Sequence, residues 1–482
     1  MSKLPNPVIV ADASSGLMDS LSVGKGLLPA NSVTKAVNVV FDRPRGSVSQ
    51  RYGTTKLGDT VSNGNTILGI HDFRSTTSSN NKILVAATTV LYSGTGSGAY
   101  TSRVTGLTTG LKTRFITYLD TVAFMNGTDA SQSSVNGTAW SSSGGNLDIA
   151  NFPRAKFAAT LNSRVIIGGN PSAPDTISLS SLESGGAVSW TSGNKSVKVS
   201  PQDGAGVLTG IVSNGRLALI FKERGLYRYD DNELQRIGYL GTPSYESIVT
   251  DDYGIAYFFG QGANGVGFYR TQGAFPEKIS RVVTKIVEAI DPAFYANVNG
   301  FTDGNRVQWS IGSITLDGYT YTNAQLVYVL SDRTWTLFDY ADRFRVFSQY
   351  ITSTGAMTVV GGDTGGDVQT MSSGTTDNGT TIFAECEFSP QVFTTRARTK
   401  VVTEIAAYAE TAANIQLMMK VDRGAFVPIG TVNEHSEIFT NFAHLEGHEF
   451  TPKIVSASDN APWTFTGLEF PAGSVLDLGN VR

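Results

Sequence analysis

The stretch "SDRTWTLFDY", Ser331 to Tyr340, gathers a Ser, an Asp and a Trp in a glycine-rich chain. That grouping could form the Asp-box turn of a sialidase-like glycosidase, or only the edge of one blade in a propeller. An Asp box needs a Gly between the Asp and the aromatic pair, so that the turn can tuck the carboxylate under the hairpin. Here Arg333 and Thr334 fill that gap, and no second copy occurs. Glycoside hydrolysis also requires two carboxylates across a cleft, or a Tyr nucleophile beside an Arg cluster. Nothing marks such a pair among the 41 acidic residues. The stretch therefore reads as strand, turn and strand, with Trp335 packing between blades.

Other chemistry-bearing residues yield no site. His435, His444 and His448 are close in sequence, but "HLEGH" puts its Glu in the wrong place for an HExxH zinc helix. Gly447 weakens a helix there in any case. "GGDTGGD", Gly361 to Asp367, resembles one turn of a calcium-binding β-roll, whose sites need stacked repeats; a single copy reads as a blade turn. "GQGANG" at Gly260 leads into another strand, so no helix N-terminus is available to hold a phosphate. The single cysteine, Cys386, excludes an intrachain disulfide framework; its alternating context "FAECEFSP" predicts a buried structural thiol. No catalytic, cofactor-binding or metal-binding residue is expected, and no cofactor.

The elements that surround these residues are short strands. Charged residues are 16% of 482, against about 25% in ordinary soluble domains, and glycine reaches 52. The formal charge of −4 and the absence of a Lys/Arg cluster of five or more argue against tight DNA binding. No apolar run is long enough to cross a membrane as a helix, and the first residues lack a signal-peptide core, so neither membrane insertion nor export is expected.

Residues 1–60, interrupted by Pro5, Pro7, Pro29 and Pro44, read as an extended segment lying on something else. From 61 to 375 a loose unit of about 40–60 residues recurs, as in "NKILVAATTVLYSGTG" and "NGRLALIFKERGLYRYDD". Frequent Asn-Gly and Asp-Gly pairs predict tight hairpins. This predicts an all-β chain with a β-propeller of six to eight blades. One helix is predicted within "PEKISRVVTKIVEAIDPAF", where Ile279, Val282, Val283, Ile286, Val287 and Ile290 recur at helical spacing until Pro292. Residues 376–482 lose the blade rhythm and read as a C-terminal β-sandwich.

Three groups of residues follow one another along the chain: Gly16, Leu17, Pro29, Asn38, Phe41, Gly46, Arg51, Gly53 and Thr54; then "GIAYFFGQGANGVGFYRTQGAFPEKIS"; then "RARTKVVTEIAAYAE" with "APWTFTGLEF". Taken in that order they resemble the N-terminal pattern, the propeller and the sandwich of the tail nozzle, or packaged-DNA stabilization, proteins of short-tailed bacteriophages. The resemblance implies a non-enzymatic structural protein of the virion tail, assembled in the host cytoplasm. It implies a homohexameric ring below the portal and its adaptor, with tail fibre, tailspike or needle proteins alongside or below. Such a ring retains the packaged double-stranded DNA and conducts it, without sequence preference, during ejection. A receptor-binding tail protein is the alternative reading, and a propeller glycosidase acting on host polysaccharide is a further one.

Overall fold

The computed structural model describes residues 2–3, 8–9, 13–19, 28–41, 46–61, 65–143, 145–200, 202–262, 265–393, 398–410, 414–433, 435–440, 445–456 and 462–479. The chain is all-β: strands make up 51% and helices 6%, so sheets carry the architecture. Among the described residues no sheet closes on itself.

From Ile67 to Thr370 seven sheets follow one another among the described residues. The first is an antiparallel meander of Ile67–Phe73, Lys82–Ala87, Val90–Gly94 and Thr101–Thr105. Its second strand, "KILVAA", shows how the sheets stack. Alternate side chains point to opposite faces of a strand. Ile83, Val85 and Ala87 therefore enter one core with Val346, Tyr350 and Val360 of the seventh sheet. Leu84 and Ala86 enter another with Val122 and Phe124 of the second. The same division repeats onward. Ile116 and Met125 meet Val165 and Ile167; Ile166 and Ile177 meet Ile211 and Ile220; Leu219 and Phe221 meet Ala256 and Phe258. Tyr257 and Phe259 then meet Val307 and Trp309, and Phe301 and Val327 meet Phe344 and Val359. Both faces of each sheet are thus apolar, which accounts for low charge in strands that would otherwise alternate with polar residues.

The Asn-Gly and Asp-Gly pairs divide into two kinds. At Asp317-Gly318 both φ angles are positive, as a two-residue hairpin demands, and the pair joins Arg306–Leu316 to Tyr319–Val329. At Asn126, Asn136, Asn214 and Asp303 only the glycine is left-handed, and the side-chain oxygen accepts the N–H groups two and three residues on. Those are Asx turns, which the same residue types also favour. Some tight hairpins use less obvious pairs, Leu119-Asp120 and Asn162-Ser163, both left-handed. Asn63-Gly64 and Asn264 lie outside the described residues.

The expected helix is broken. A 3-10 turn covers Ser280–Val283 and an α-helix only Thr284–Glu288, with a second 3-10 turn at Pro292–Asn297. Val283 leaves helical geometry at φ −122°, and the carboxylate of Asp19 accepts the N–H groups of Lys285 and Ile286. A β-branched residue resists helix continuation, and a cap brought from the N-terminal segment starts a new helix beyond it. Val283, Ile286, Val287 and Ile290 are nonetheless buried, as the periodicity requires.

The sixth sheet extends into the rest of the chain. Its order runs Asn299–Thr302, Arg306–Leu316, Tyr319–Val329, Trp335–Asp339, Val33–Val37, Glu385–Phe388, Phe450–Ser456, Ile415–Val421 and Phe426–Val432. Across a shared core, Ile415, Leu417 and Ile454 of this sheet join Ile405, Phe465 and Leu468 of a second. That second sheet contains Val39–Val40, Val48–Gln50, Thr464–Phe470, Ile405–Ala409 and Ser436–Phe439.

Trp335 lies in the middle of the largest core. It is 1% exposed, with ring centroids 4.7 Å from Tyr328 and 6.1 Å from both Phe268 and Trp309. Trp335→Ala is expected to cost about 3–5 kcal/mol of stability through the cavity left behind. Denaturant unfolding checks it, and a loss below about 1 kcal/mol would show a site able to collapse.

Candidate functional site

The nine residues that carry the family resemblance occur where the N-terminal segment joins the rest of the chain. Asn38, at φ +56°, interrupts the strands on either side of it. Its amide donates to the Phe383 carbonyl at 2.7 Å, and its oxygen accepts from Arg51 Nε and from the Asp339 N–H, both at 2.8 Å. Arg51 then grips Asp377 through two bonds of 2.7 and 2.6 Å. It donates further to the carbonyls of Tyr52 at 2.9 Å and Asp339 at 3.0 Å, and stacks 3.9 Å above the Tyr340 ring. All five guanidinium N–H donors are used. With Arg51 and Asp377 side chains 1% and 4% exposed, the pair sits in low dielectric, where full hydrogen bonding is what makes buried charge tolerable. Burial also pushes the Tyr340 hydroxyl up to about 12.

The neighbouring positions are sterically defined. A Cβ on Gly53 would lie 1.9 Å from the Thr376 carbonyl oxygen. A Cβ on Gly16, which is left-handed, would lie 2.6 Å from Thr334 Cβ. Thr54 Oγ1 donates to Gln369 at 2.6 Å, and Gln369 in turn donates to Asp342 and Asp363. Leu17 N–H bonds to the Trp335 carbonyl, and the Gly46 carbonyl accepts from Ala13. The Pro29 carbonyl accepts from Ser32 and Ser389, and Phe41 is buried in the largest core. The arrangement is a mechanical seam: strand Val33–Val37 is bonded on one edge to Trp335–Asp339 and on the other to Glu385–Phe388.

The residues weighed for catalysis or metal binding are placed apart. In Ser331 to Tyr340 the turn exposes Asp332 and puts Arg333 at φ +57°, so the carboxylate is not tucked under the hairpin. Cys386 is buried in strand Glu385–Phe388, and burial pushes its thiol well above the usual range. His435 Nδ1 lies 3.2 Å from the Ala409 carbonyl, whereas His448 pairs with Asp422 at 3.4 Å. His444 is outside the described residues. Asp363 of "GGDTGGD" closes its own turn, accepting the N–H groups of Gly365 and Asp367. "GQGANG" joins strand Ala256–Gly262 to Gly265–Thr271.

One cluster went unnoticed in the sequence. Lys112, Arg114 and Glu246 meet where the first strands of the sheets converge, between Ile67–Phe73, Arg114–Tyr118 and the turn Tyr245–Ser247. Lys112 Nζ is 3.3 Å from Glu246, Arg114 forms a closer pair with it, and the Arg114 guanidinium lies over the adjoining rings of Phe157 and Tyr245, at 5.0 and 4.9 Å. Burial opposes ionisation of Glu246, but Arg114 and Lys112 outweigh it and hold the carboxyl down at about 2. Lys112 is pushed below its usual value by burial; Glu246 pulls it up, while Arg114 and Arg345 push it further down. One carboxylate is thus shared between two cations, Lys112 and Arg114. The one sequence signal was Lys112-Thr113-Arg114, two cations on the same face at the start of a strand.

A pH dependence follows. With its folded value depressed, Glu246 contributes stability above its ordinary 4.5 and loses it as pH falls from 4.5 through about 2. Glu246→Gln is expected to be less stable than the parent at neutral pH, with the difference shrinking across that window. Denaturant midpoints at stepped pH test this, and a difference constant with pH would remove Glu246 as its source.

No protein-family model matches the chain, and no curated protein sequence does. Solved structures give only distant likenesses. An extracellular domain of the BT4673 hybrid two-component system from B. thetaiotaomicron is 11% identical, at a TM-score of 0.42 over 66% of this chain and 39% of its own. A second structure of that extracellular domain, described as from a one-component system, is 8% identical, at 0.43 over 95% and 63%. The AfRom2 CNH domain is 9% identical, at 0.38 over 66% and 99%. The chain thus spans about two-fifths and three-fifths of the two bacterial structures it resembles. None of the three is described as a phage tail protein, and likenesses at this level carry no inference about function.

Proposed function

We propose that the chain is a non-catalytic structural protein of a bacteriophage tail, of the nozzle type. In this reading residues 61–375 are a seven-bladed β-propeller, residues 376–482 a β-sandwich, and residues 1–60 an extended segment bonded to both. The propeller reading is supported by seven successive sheets whose facing cores form a closed cycle. First strands also adjoin from Ile67–Phe73 through Arg114–Tyr118 and Phe157–Leu161 to Leu208–Ser213, the turn Tyr245–Ser247 and strand Val249–Thr250 link onward to Asn299–Thr302, and Phe344–Ile351 returns to Ile67–Phe73. The sandwich reading is supported by the core shared between the two C-terminal sheets.

The observation that carries the functional reading is the seam. Residues recognised only as a family-like pattern, from Gly16 to Thr54, have interlocking mechanical roles there. Such a build suits a part that transmits load within a ring. Copies of the chain would form a hexamer below the portal and adaptor, contacting fibre, tailspike or needle proteins and letting double-stranded DNA pass. The formal charge of −4 favours passage over retention by phosphate contacts.

Electron microscopy of virions of the encoding phage, labelled with an antibody to this chain, is the test. Label confined to the tail below the portal is expected. Label on peripheral fibres would replace this reading with the receptor-binding one. Absence from particles, together with cleavage of host polysaccharide by the purified chain, would replace it with the glycosidase.

A further inference from the structure

Beside the seam lies a pair of residues with chemistry of its own. Asp377, which Arg51 grips, is followed by Asn378 and Gly379 at the tip of a hairpin formed by Thr376–Asp377 and Thr380–Thr381. An asparagine followed by glycine can cyclise onto its own backbone, because no Cβ shields the glycine nitrogen. Whether it does so depends on how firmly its carboxamide and the surrounding backbone are held.

Asn126, Asn136, Asn214, Asn299 and Asn378 are each followed by glycine within the described residues. The first three accept the N–H groups two and three residues on, which pins each side-chain oxygen to its own turn. Asn299 is 1% exposed within a strand, and its amide nitrogen donates to the carbonyls of Asn297 and Phe344. Asn378 has no such restraint. Its side chain is exposed and makes no hydrogen bond among the described residues. Beyond its chain neighbours, nothing lies within 4 Å of a Cβ built on Gly379, whereas Lys156 and Lys82 come within 2.6 and 2.9 Å of one built on Gly127 or Gly137. The Gly379 N–H is held by Thr376 Oγ1 at 3.2 Å. Each strand of the hairpin is two residues long, a ladder too short to stay closed by itself. The seam anchors only the near half of the turn, through Asp377 and through the Asn378 N–H, which donates to the Thr54 carbonyl at 2.9 Å. Both turn residues are left-handed, at φ +47° and +93°, and cyclisation requires Asn378 to rotate out of that shape as the ladder opens.

We infer that Asn378 is a site of spontaneous deamidation and that its products loosen the seam. The Gly379 nitrogen attacks the carboxamide carbon of Asn378. Their bond forms as the carboxamide nitrogen leaves as ammonia, taking the proton that the Gly379 nitrogen gives up. Water then opens the imide ring at either carbonyl, leaving isoaspartate or aspartate, and nothing is oxidised or reduced. Either product adds a carboxylate next to Asp377, which already relies on Arg51. Isoaspartate also inserts its side-chain carbon into the backbone, just beyond the bond to Thr54.

Incubation of the purified full chain at mildly alkaline pH, followed by peptide mapping with mass spectrometry, tests this. Position 378 is expected to convert about tenfold or more faster than the other four, since each of those must first give up hydrogen bonds that Asn378 lacks. In denaturant all five should convert at similar rates. Labelling by an isoaspartate methyltransferase identifies the isoaspartyl product. Asn378→Gly suits the left-handed position, blocks the chemistry and keeps the N–H that bonds to Thr54. Ageing is expected to lower the melting temperature of the parent more than that of this variant. Conversion at position 378 no faster than at the other four in the folded chain, or a lead that persists unchanged in denaturant, would overturn the site. Equal falls in melting temperature for the converted parent and the variant would overturn its link to the seam.

Discussion

Arg51→Ala is expected to lower the unfolding free energy by about 3–5 kcal/mol, the range for removing one partner of a buried ion pair. The loss comes less from the missing attraction than from what remains. Asp377, 3% exposed beside Arg51, would keep only the Ala341 N–H at 3.2 Å against its carboxylate, and the acceptors on Asn38, Tyr52 and Asp339 would each lose a donor. A paired replacement, Arg51→Met with Asp377→Leu, removes both charges and should recover a large part of the loss. Denaturant unfolding of the three variants at neutral pH measures this. A cost for Arg51→Ala below about 1 kcal/mol, the level of an exposed ion pair, would mean that the seam is not held by this contact.

Deleting residues 1–60 should have a larger effect and abolish the soluble fold. Leu17, Val33, Val39, Phe41 and Val48 all enter the largest core, and each contributes about 1.5–3 kcal/mol by burial. Together they reach the whole stability of a typical domain, about 5–15 kcal/mol. Removing Val33–Val37 also takes the middle strand from the nine-stranded sheet, leaving Trp335–Asp339 and Glu385–Phe388 as unpaired edges. Unpaired edges invite aggregation. Soluble yield and protease resistance report the outcome, and co-expression of residues 1–60 as a separate chain should restore both. Unchanged melting and protease resistance in the deletion would refute the role given to this segment.

Much of the local structure could be read from residue types. Short apolar runs such as "KILVAA" and "ALIFK" announced strands, and the turn at Asp317-Gly318 has the backbone that its residues favour. The helix was legible as a buried face and not as an element, because periodicity reports which side chains are apolar and says nothing of Asp19 arriving from far along the chain. The Asx turns were miscast as tight hairpins for a similar reason. Asn and Asp serve both geometries, and the choice lies in whether the side-chain oxygen reaches its own backbone.

The sequence alone determined the all-β class, the lack of an Asp-box glycine and the buried context of Cys386, since composition, spacing and alternation act over a few residues. Only the tertiary structure decided that Arg51 meets Asp377 across 326 residues, that Asn38 reaches Phe383 across 345, and that Glu246 sits beside Lys112 and Arg114. The reason is physical. A strand's alternation states that both faces are buried but not against what, and a charged side chain carries no mark of its partner until packing excludes water from between them.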